Sequence, residues 1–334
     1  MLKCGIIGFG GLGKVHFNNL RKMEERELVK IEALCDVEEK QFSVKTNTNL
    51  GSDQTSFDKS KYRLFTGHKK MLSECQLDFV VVALPTFLHA PVSIDAMEAG
   101  CHVFCEKPMA INAEEAGKML AVSKKTNKLL MIGHNLRFWP DFNKLKEFID
   151  SDKYGKVIRA EFSRVSATPK WGWNKWFMNE EMSGGAALDL HIHDVDAINW
   201  LFGPPESVRA DATHIVTRFD SITTRYYYPD DKVVIAVGDW GMTDRFQFRM
   251  TFSVRFEKAT VEMDSEGFKI YTDDIYEKTE FSEFNSYHDE LVHFIECIEQ
   301  GIPIKINPPE YSLKTLEIAL AEKESAKTGE SIRI

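Results

Sequence analysis

Two stretches of this 334-residue chain carry residue types at spacings that can do chemistry. The first is Gly8-Phe9-Gly10-Gly11-Leu12-Gly13, which follows the apolar run Leu2 to Ile7 directly and runs into a segment of helix-forming residues. Glycine supplies room. Gly8 permits a tight turn, Gly10 lets backbone amides approach a pyrophosphate, and Gly13 lets a helix pack close to a strand, its N-terminus favouring negative charge. Asp36 closes the next apolar run, a little over twenty residues past Gly13. A carboxylate there accepts hydrogen bonds from the adenosine ribose hydroxyls and repels a 2'-phosphate, so NAD is expected rather than NADP. Asp36 also suits a helix cap. The glycine spacing, the order of elements and the acid position nevertheless all have to coincide for the dinucleotide reading to be accidental.

The second stretch, Asp189-Leu190-His191-Ile192-His193-Asp194-Val195-Asp196, packs five ionisable side chains into eight residues. On a helix, Asp189 and His193 share one face, as residues four apart do. An imidazole suits a general base near neutral pH, and a neighbouring carboxylate orients it. The expectation is His193 as base and Asp189 as its partner and a substrate ligand. Two other readings stay open: an acid-rich helix start with core histidines, and a zinc or manganese site built on His-x-His. Because nicotinamide chemistry requires no metal and no further ligands can be named, no metal is expected. Lys107 in Glu106-Lys107-Pro108 lies just past the apolar run His102 to Cys105. Ligands of open parallel sheets bind outside the carboxyl ends of strands, which puts this ammonium where it can stabilise charge developing on an alcohol oxygen.

These residues must be positioned by the elements around them. Up to about Gly133, short apolar runs alternate with helical segments, the sequence form of a doubly wound parallel sheet. Candidate strands are Leu2 to Ile7, Val29 to Cys35, Arg63 to Phe65, Phe79 to Leu84, His102 to Cys105 and Leu129 to Ile132, and the polar stretch Asn47 to Lys61 reads in part as a surface loop. After a helix near Pro140 to Ser151 come strands at Val157 to Val165, Val208 to Val216, Val233 to Asp239, Phe246 to Phe256, Ala259 to Met263 and Lys269 to Thr272. Their succession suggests an antiparallel or mixed sheet. Helices at Tyr287 to Glu299 and Pro309 to Thr328 complete the chain. The predicted fold is α/β, with a Rossmann domain over residues 1–133 and an α+β domain over 134–334 built on a large open, mainly antiparallel sheet, a terminal helix being able to pack back on the first domain.

A formal net charge of -9 excludes a protein that neutralises nucleic-acid phosphates or coats an anionic membrane through a basic face. No run reaches the roughly 20 apolar residues of a membrane span, and the N-terminus lacks the pattern of a signal peptide, so a cytoplasmic location is expected. Cys4, Cys35, Cys75, Cys101, Cys105 and Cys297 are scattered and suggest neither a disulfide framework nor a zinc site.

With Leu84-Pro85-Thr86-Phe87-Leu88-His89, then Glu98-Ala99-Gly100-Cys101-His102-Val103 leading to Glu106-Lys107-Pro108, and later Gly133-His134-Asn135-Leu136-Arg137-Phe138 and Gly184-Gly185, Asp189, His193 and Asp196, the chain resembles the Gfo/Idh/MocA family of NAD(P)-dependent sugar and inositol dehydrogenases along essentially its whole length. The resemblance implies Lys107, Asp189 and His193 as catalytic groups. It also implies that Phe9, Leu12, Leu84, Pro85, His89, Glu106 and Asn135 line the cofactor with Gly8, Gly10, Gly13, Asp36 and Lys107. It departs at His191, where the family commonly has a small residue, so His191 either narrows the pocket or binds substrate. Trp171 and Trp176 either stack on a sugar or pack a loop, and Arg137 either binds substrate or pairs with an acid. The implied activity is hydride transfer between NAD(H) and a secondary hydroxyl or ketone of a sugar, cyclitol or sugar derivative, in a homodimer or homotetramer. The rival is a non-catalytic nucleotide-binding regulator on the same fold.

Overall fold

A computed structural model describes residues 1–43, 46–48, 51–53 and 57–334, with the backbone alone at 46–48 and 51–53. The chain divides into two compact units. One comprises residues 1–135, 171–176 and 285–313; the other comprises 136–170, 177–284 and 314–334.

In the first unit, β1 (Leu2–Ile7), β2 (Val29–Cys35), β5 (Arg63–Phe65), β6 (Phe79–Val82), β7 (His102–Glu106) and β8 (Leu130–Gly133) form one parallel sheet in the order β5-β2-β1-β6-β7-β8. The central strand β6 reads Phe-Val-Val-Val and is buried at every position. That is the mark of a strand covered on both faces, and it explains why continuous apolar runs identified these strands. Helices α1 (Gly11–Glu24), α2 (His68–Glu74), α3 (His89–Glu98) and α4 (Ala113–Thr126) make the connections. Asn112 caps α4 by accepting from the Glu115 amide, and Asn127 ends it in the left-handed region. Helix α9 (Ser286–Gln300) also belongs here, its Phe294 ring edge-on to Phe79 and Phe104 at 5.8 and 5.9 Å. The stretch Asn47 to Lys61, expected in part as a loop, falls partly outside the described residues; within it β3 (Thr46–Thr48) pairs with β4 (Gly51–Asp53). Strand order reverses between β1 and β6, which fixes the switch point at which a ligand crevice forms.

In the second unit, β9 (Val157–Ala167), β10 (Ser207–Thr213), β11 (Ser221–Tyr227), β12 (Val233–Met242), β13 (Arg249–Phe256), β14 (Thr260–Asp264), β15 (Gly267–Tyr271), β16 (Tyr276–Thr279) and β17 (Ile332–Arg333) form a sheet in the order β16-β15-β14-β13-β9-β12-β11-β10-β17. It is antiparallel except where β9 and β12 run parallel. Burial alternates along β11 and β12, so one face is packed and the other open. Helices α5 (Pro140–Asp150), α6 (Glu180–Ser183), α7 (Gly185–Asp189) and α8 (Ile192–Phe202) accompany it, with α10 (Pro309–Thr328) from Lys314 onward. Pro140 opens α5 at a position where its missing N–H is no loss. The strand expected over Val208 to Val216 stops at Thr213. The Asp220 carboxylate draws the amides of Ile215, Val216 and Thr217 into a turn at 2.6 to 3.0 Å.

Candidate active site

The glycine loop leaves β1 with Gly8 at φ +93°, a conformation that side chains rarely adopt. A Cβ there would lie 2.2 Å from the Ala83 carbonyl oxygen, and one on Gly13 would lie 1.9 Å from the Gly8 carbonyl oxygen. Both glycines are therefore fixed by close packing at the switch point. Gly10 differs: a Cβ there would meet nothing within 4 Å. The loop keeps open space in front of the α1 N-terminus, where a pyrophosphate fits. Asp36 follows β2 directly and accepts the Phe9 amide at 2.8 Å and the Glu38 amide at 2.9 Å. It thus braces the loop, and each carboxylate oxygen, holding one amide, keeps a further lone pair. Burial pushes the Asp36 carboxyl up, opposed by those two amides.

Leu12, Leu84 and Pro85 are half-buried beside this loop or in the segment that follows β6. Phe9 needs correction as a cofactor contact through its side chain. The ring is fully buried, 5.3 to 5.6 Å from Phe17, Phe42 and Phe57, and its amide is already given to Asp36. His89 is also buried, and its two ring nitrogens lie 2.7 Å from the Leu84 and Pro108 carbonyl oxygens. Two acceptors call for the doubly protonated ring, while burial draws its pKa down. Either way His89 ties the segment after β6 to the one after β7. Glu106 ends β7, and Lys107 follows it, half-buried, before a cis Lys107-Pro108 bond. Asn135, largely buried, donates to Ser286 Oγ at 3.4 Å.

In the second unit the ionisable cluster sorts itself. Asp194 accepts from Arg164 at 2.9 and 3.1 Å, and Asp196 accepts from Arg137 at 2.9 and 2.8 Å and from Thr315 at 3.0 Å. All are buried, so these carboxylates anchor α8 rather than hold a metal. Of the two readings of Arg137, the structure shows the pairing with an acid: its guanidinium binds Asp196 through two hydrogen bonds and the residue is 2% exposed. His191 is buried too. It lies beneath Gly238 of β12, where a Cβ would come within 2.6 Å of its own Cβ, and its Nε2 is 3.1 Å from Glu322. Its imidazole fills a buried slot against Gly238 and Glu322. The half-buried members of the cluster are Asp189 and His193. They do not share one continuous helix: Asp189 ends α7, His193 lies in the first turn of α8, and both the Leu190 and His191 amides bond back to Ala186.

Trp171, 39% exposed, and Trp176, half-buried, fall in the segment 171–176 that belongs with the first unit. The neighbouring Trp173 indole donates to Glu38 at 3.2 Å, two residues past Asp36. All six cysteines are free and buried. Burial pushes the Cys35 thiol up to about 12 and the Cys101 thiol up to about 11, so neither is a nucleophile at neutral pH. Among the buried ionisable groups that went unnoticed in the sequence are His16, three residues past the glycine loop, and Glu290 on α9.

Comparison with known proteins places this architecture. Residues 2–134 match the family model described as an oxidoreductase family with an NAD-binding Rossmann fold, and residues 142–262 match the GFO/IDH/MocA C-terminal domain. The myo-inositol 2-dehydrogenase of Thermotoga maritima is 27% identical, over 100% of this chain and 98% of its own length. The D-glucoside 3-dehydrogenase of Escherichia coli is 28% identical, over 100% and 97%. The WlbA dehydrogenase of Bordetella pertussis, solved with NADH and UDP-GlcNAcA, superposes with a TM-score of 0.83 at 21% identity, covering 100% of this chain and 98% of that one. With the glycine cradle, the acid just past β2 and both family domains in sequence order, the chain belongs to the Gfo/Idh/MocA family and is an NAD-binding oxidoreductase.

Proposed function

We propose that this protein oxidises a secondary hydroxyl of a sugar, cyclitol or sugar derivative with NAD, or runs the reverse reduction, with Lys107, Asp189 and His193 as the acting residues. Bound NAD supplies the hydride acceptor. The Lys107 ammonium stabilises the negative charge that grows on the alcohol oxygen, His193 takes the hydroxyl proton, and Asp189 orients the imidazole and the substrate. The observation that carries this reading is the division of labour in 189–196. His191, Asp194 and Asp196 are bound into buried contacts, and Asp189 and His193 are the half-buried members at the junction of two short helices. Relatives named for inositol and a glucoside support the substrate class.

Asp36, backed by Glu38, favours NAD over NADP. The open face of the nine-stranded sheet fits a homodimer or homotetramer. Six free, buried cysteines fit a reducing compartment such as the cytoplasm. A panel of cyclitols, aldoses, glucosides, amino sugars and nucleotide sugars, assayed for NADH formation, tests the reading. NAD-dependent turnover of at least one member is expected; inertness toward every class while NADH still binds would contradict it.

A further inference from the structure

Behind the proposed cofactor crevice, three ionisable side chains from three elements converge in the interior of the first unit: His16 of α1, Glu106 of β7 and Glu290 of α9. One ligating atom of each lies within 4.8 Å of the others, and none of the three is more than 3% exposed. His16 Nε2 lies 2.6 Å from Glu106 Oε1, and the Lys107 amide donates to Glu106 Oε2 at 3.2 Å. Gly133 of β8 makes room for this arrangement, because a Cβ there would press on the Phe104 ring at 3.2 Å and on Glu106 at 3.4 Å. The His16 ring is held edge-on between Phe104 and Tyr287 at 5.3 and 6.0 Å. Neither Glu290 oxygen has a hydrogen-bond partner among the described residues.

Two buried carboxylates this close cannot both ionise cheaply, since each loses hydration and repels the other. A shared cation or a retained proton resolves the conflict. The geometry decides between them. Two donors on one tetrahedral zinc, each bonded at roughly 2.0–2.2 Å, stand about 3.3 to 3.6 Å apart. His16 and Glu106, at 2.6 Å, are at hydrogen-bond distance instead. Glu106 is the acid placed to ionise. Burial pushes its carboxyl up, but the His16 hydrogen bond and the charges of His16, Lys107 and His89 hold it below its ordinary value. Glu290 has no such support, and burial together with Glu106 and Asp289 drives its carboxyl well up.

We propose that Glu290 is held as the neutral acid and that His16, Glu106 and Glu290 form a positioning unit for Lys107, in which ionised Glu106 receives the His16 ring on one oxygen and the Lys107 amide on the other. This rests on the reading of Lys107 as the charge stabiliser. None of the three need touch substrate. Their effect is to fix the end of β7, and hence the start of the lysine, against a residue that would otherwise bring a second charge into the interior.

Infrared difference spectroscopy of the full-length protein with NADH bound tests the proton. Wild type at pH 7 should show the carbonyl stretch of a protonated carboxyl, and Glu290→Gln should lose it. Turnover of a panel substrate accepted by wild type tests the positioning. Glu290→Gln, also neutral, should stay within about twofold of wild type, whereas Glu290→Leu should lose on the order of 10- to 100-fold in kcat with little change in KM, the cost of a small misplacement. Should Glu290→Leu not fold, Glu106→Gln should show the same kcat loss. A protonated-carboxyl spectrum indifferent to Glu290→Gln, or a stoichiometric metal in the purified protein, would overturn the proton. Normal kcat in Glu290→Leu or Glu106→Gln would overturn the positioning alone, while a wild type that turns over no panel member would remove the proposed function along with it.

Discussion

In the proposed function Lys107, His193 and Asp36 divide the work of the reaction, and substitution should separate their contributions. Lys107→Met should cost on the order of 100- to 1000-fold in kcat, about 3 to 4 kcal/mol, the scale for losing one preorganised charge stabiliser. NADH affinity, followed by its fluorescence, should hold because the glycine loop and Asp36 are untouched; equal losses in both would make Lys107 a binding residue only. His193→Asn should abolish most turnover and flatten the acid limb of the oxidation profile, since a neutral imidazole is what accepts the proton and it is lost as pH falls through its pKa. Asp36→Ala should erode the NAD preference, read as the ratio of dissociation constants for NADH and NADPH. It should also weaken NADH itself, because the same carboxylate holds the Phe9 amide. An unchanged ratio would reduce Asp36 to a brace.

At the scale of elements, the buried pairs around α8 make a structural claim that competes with substrate binding. Arg137→Met leaves Asp196 buried without its bidentate counter-charge and should destabilise the fold by about 3 to 5 kcal/mol in urea unfolding. A normal midpoint with a raised KM would return Arg137 to the substrate. The turn held by Asp220 makes a second claim. Its carboxylate accepts the Thr217 hydroxyl, the 215–217 amides and the Trp240 indole, the last at 2.7 Å; burial pushes its pKa up, but these bonds, the Thr217 hydroxyl foremost, hold it below the ordinary value. Because the folded pKa is the lower one, this stabilisation is present above the unfolded value of about 3.9 and is lost as pH falls through the folded value. Asp220→Asn should lower stability at pH 7 by on the order of 2 kcal/mol. It should also remove part of the acid dependence of the melting temperature; an identical acid profile would contradict the assignment.

Over the whole molecule, legibility followed the physics of burial. The parallel sheet was legible because strands covered on both faces are continuous apolar runs, as Phe79 to Val82 is. Strand β11 was not, because Ser-Ile-Thr-Thr-Arg-Tyr-Tyr alternates polar and aromatic residues and resembles a loop. The glycine cradle and Asp36 were legible because backbone room and charge leave residue-type signatures, whereas Glu290 is one more acid on an amphipathic helix until folding brings α9 to β7. His191 and Arg137 stayed ambiguous in the sequence because ionisable types do not announce whether their partners are substrate or residues such as Glu322 and Asp196. The open sheet face predicts self-association. Light scattering coupled to size exclusion should give a mass of two or four chains, and a monomer at micromolar concentration would contradict it. The central claim, hydride transfer from a secondary carbinol carbon to NAD, is tested most directly with a panel substrate carrying deuterium on that carbon. The NADH isolated after turnover should contain the deuterium, one per product formed; unlabelled NADH, or oxidised product without NADH, would contradict it.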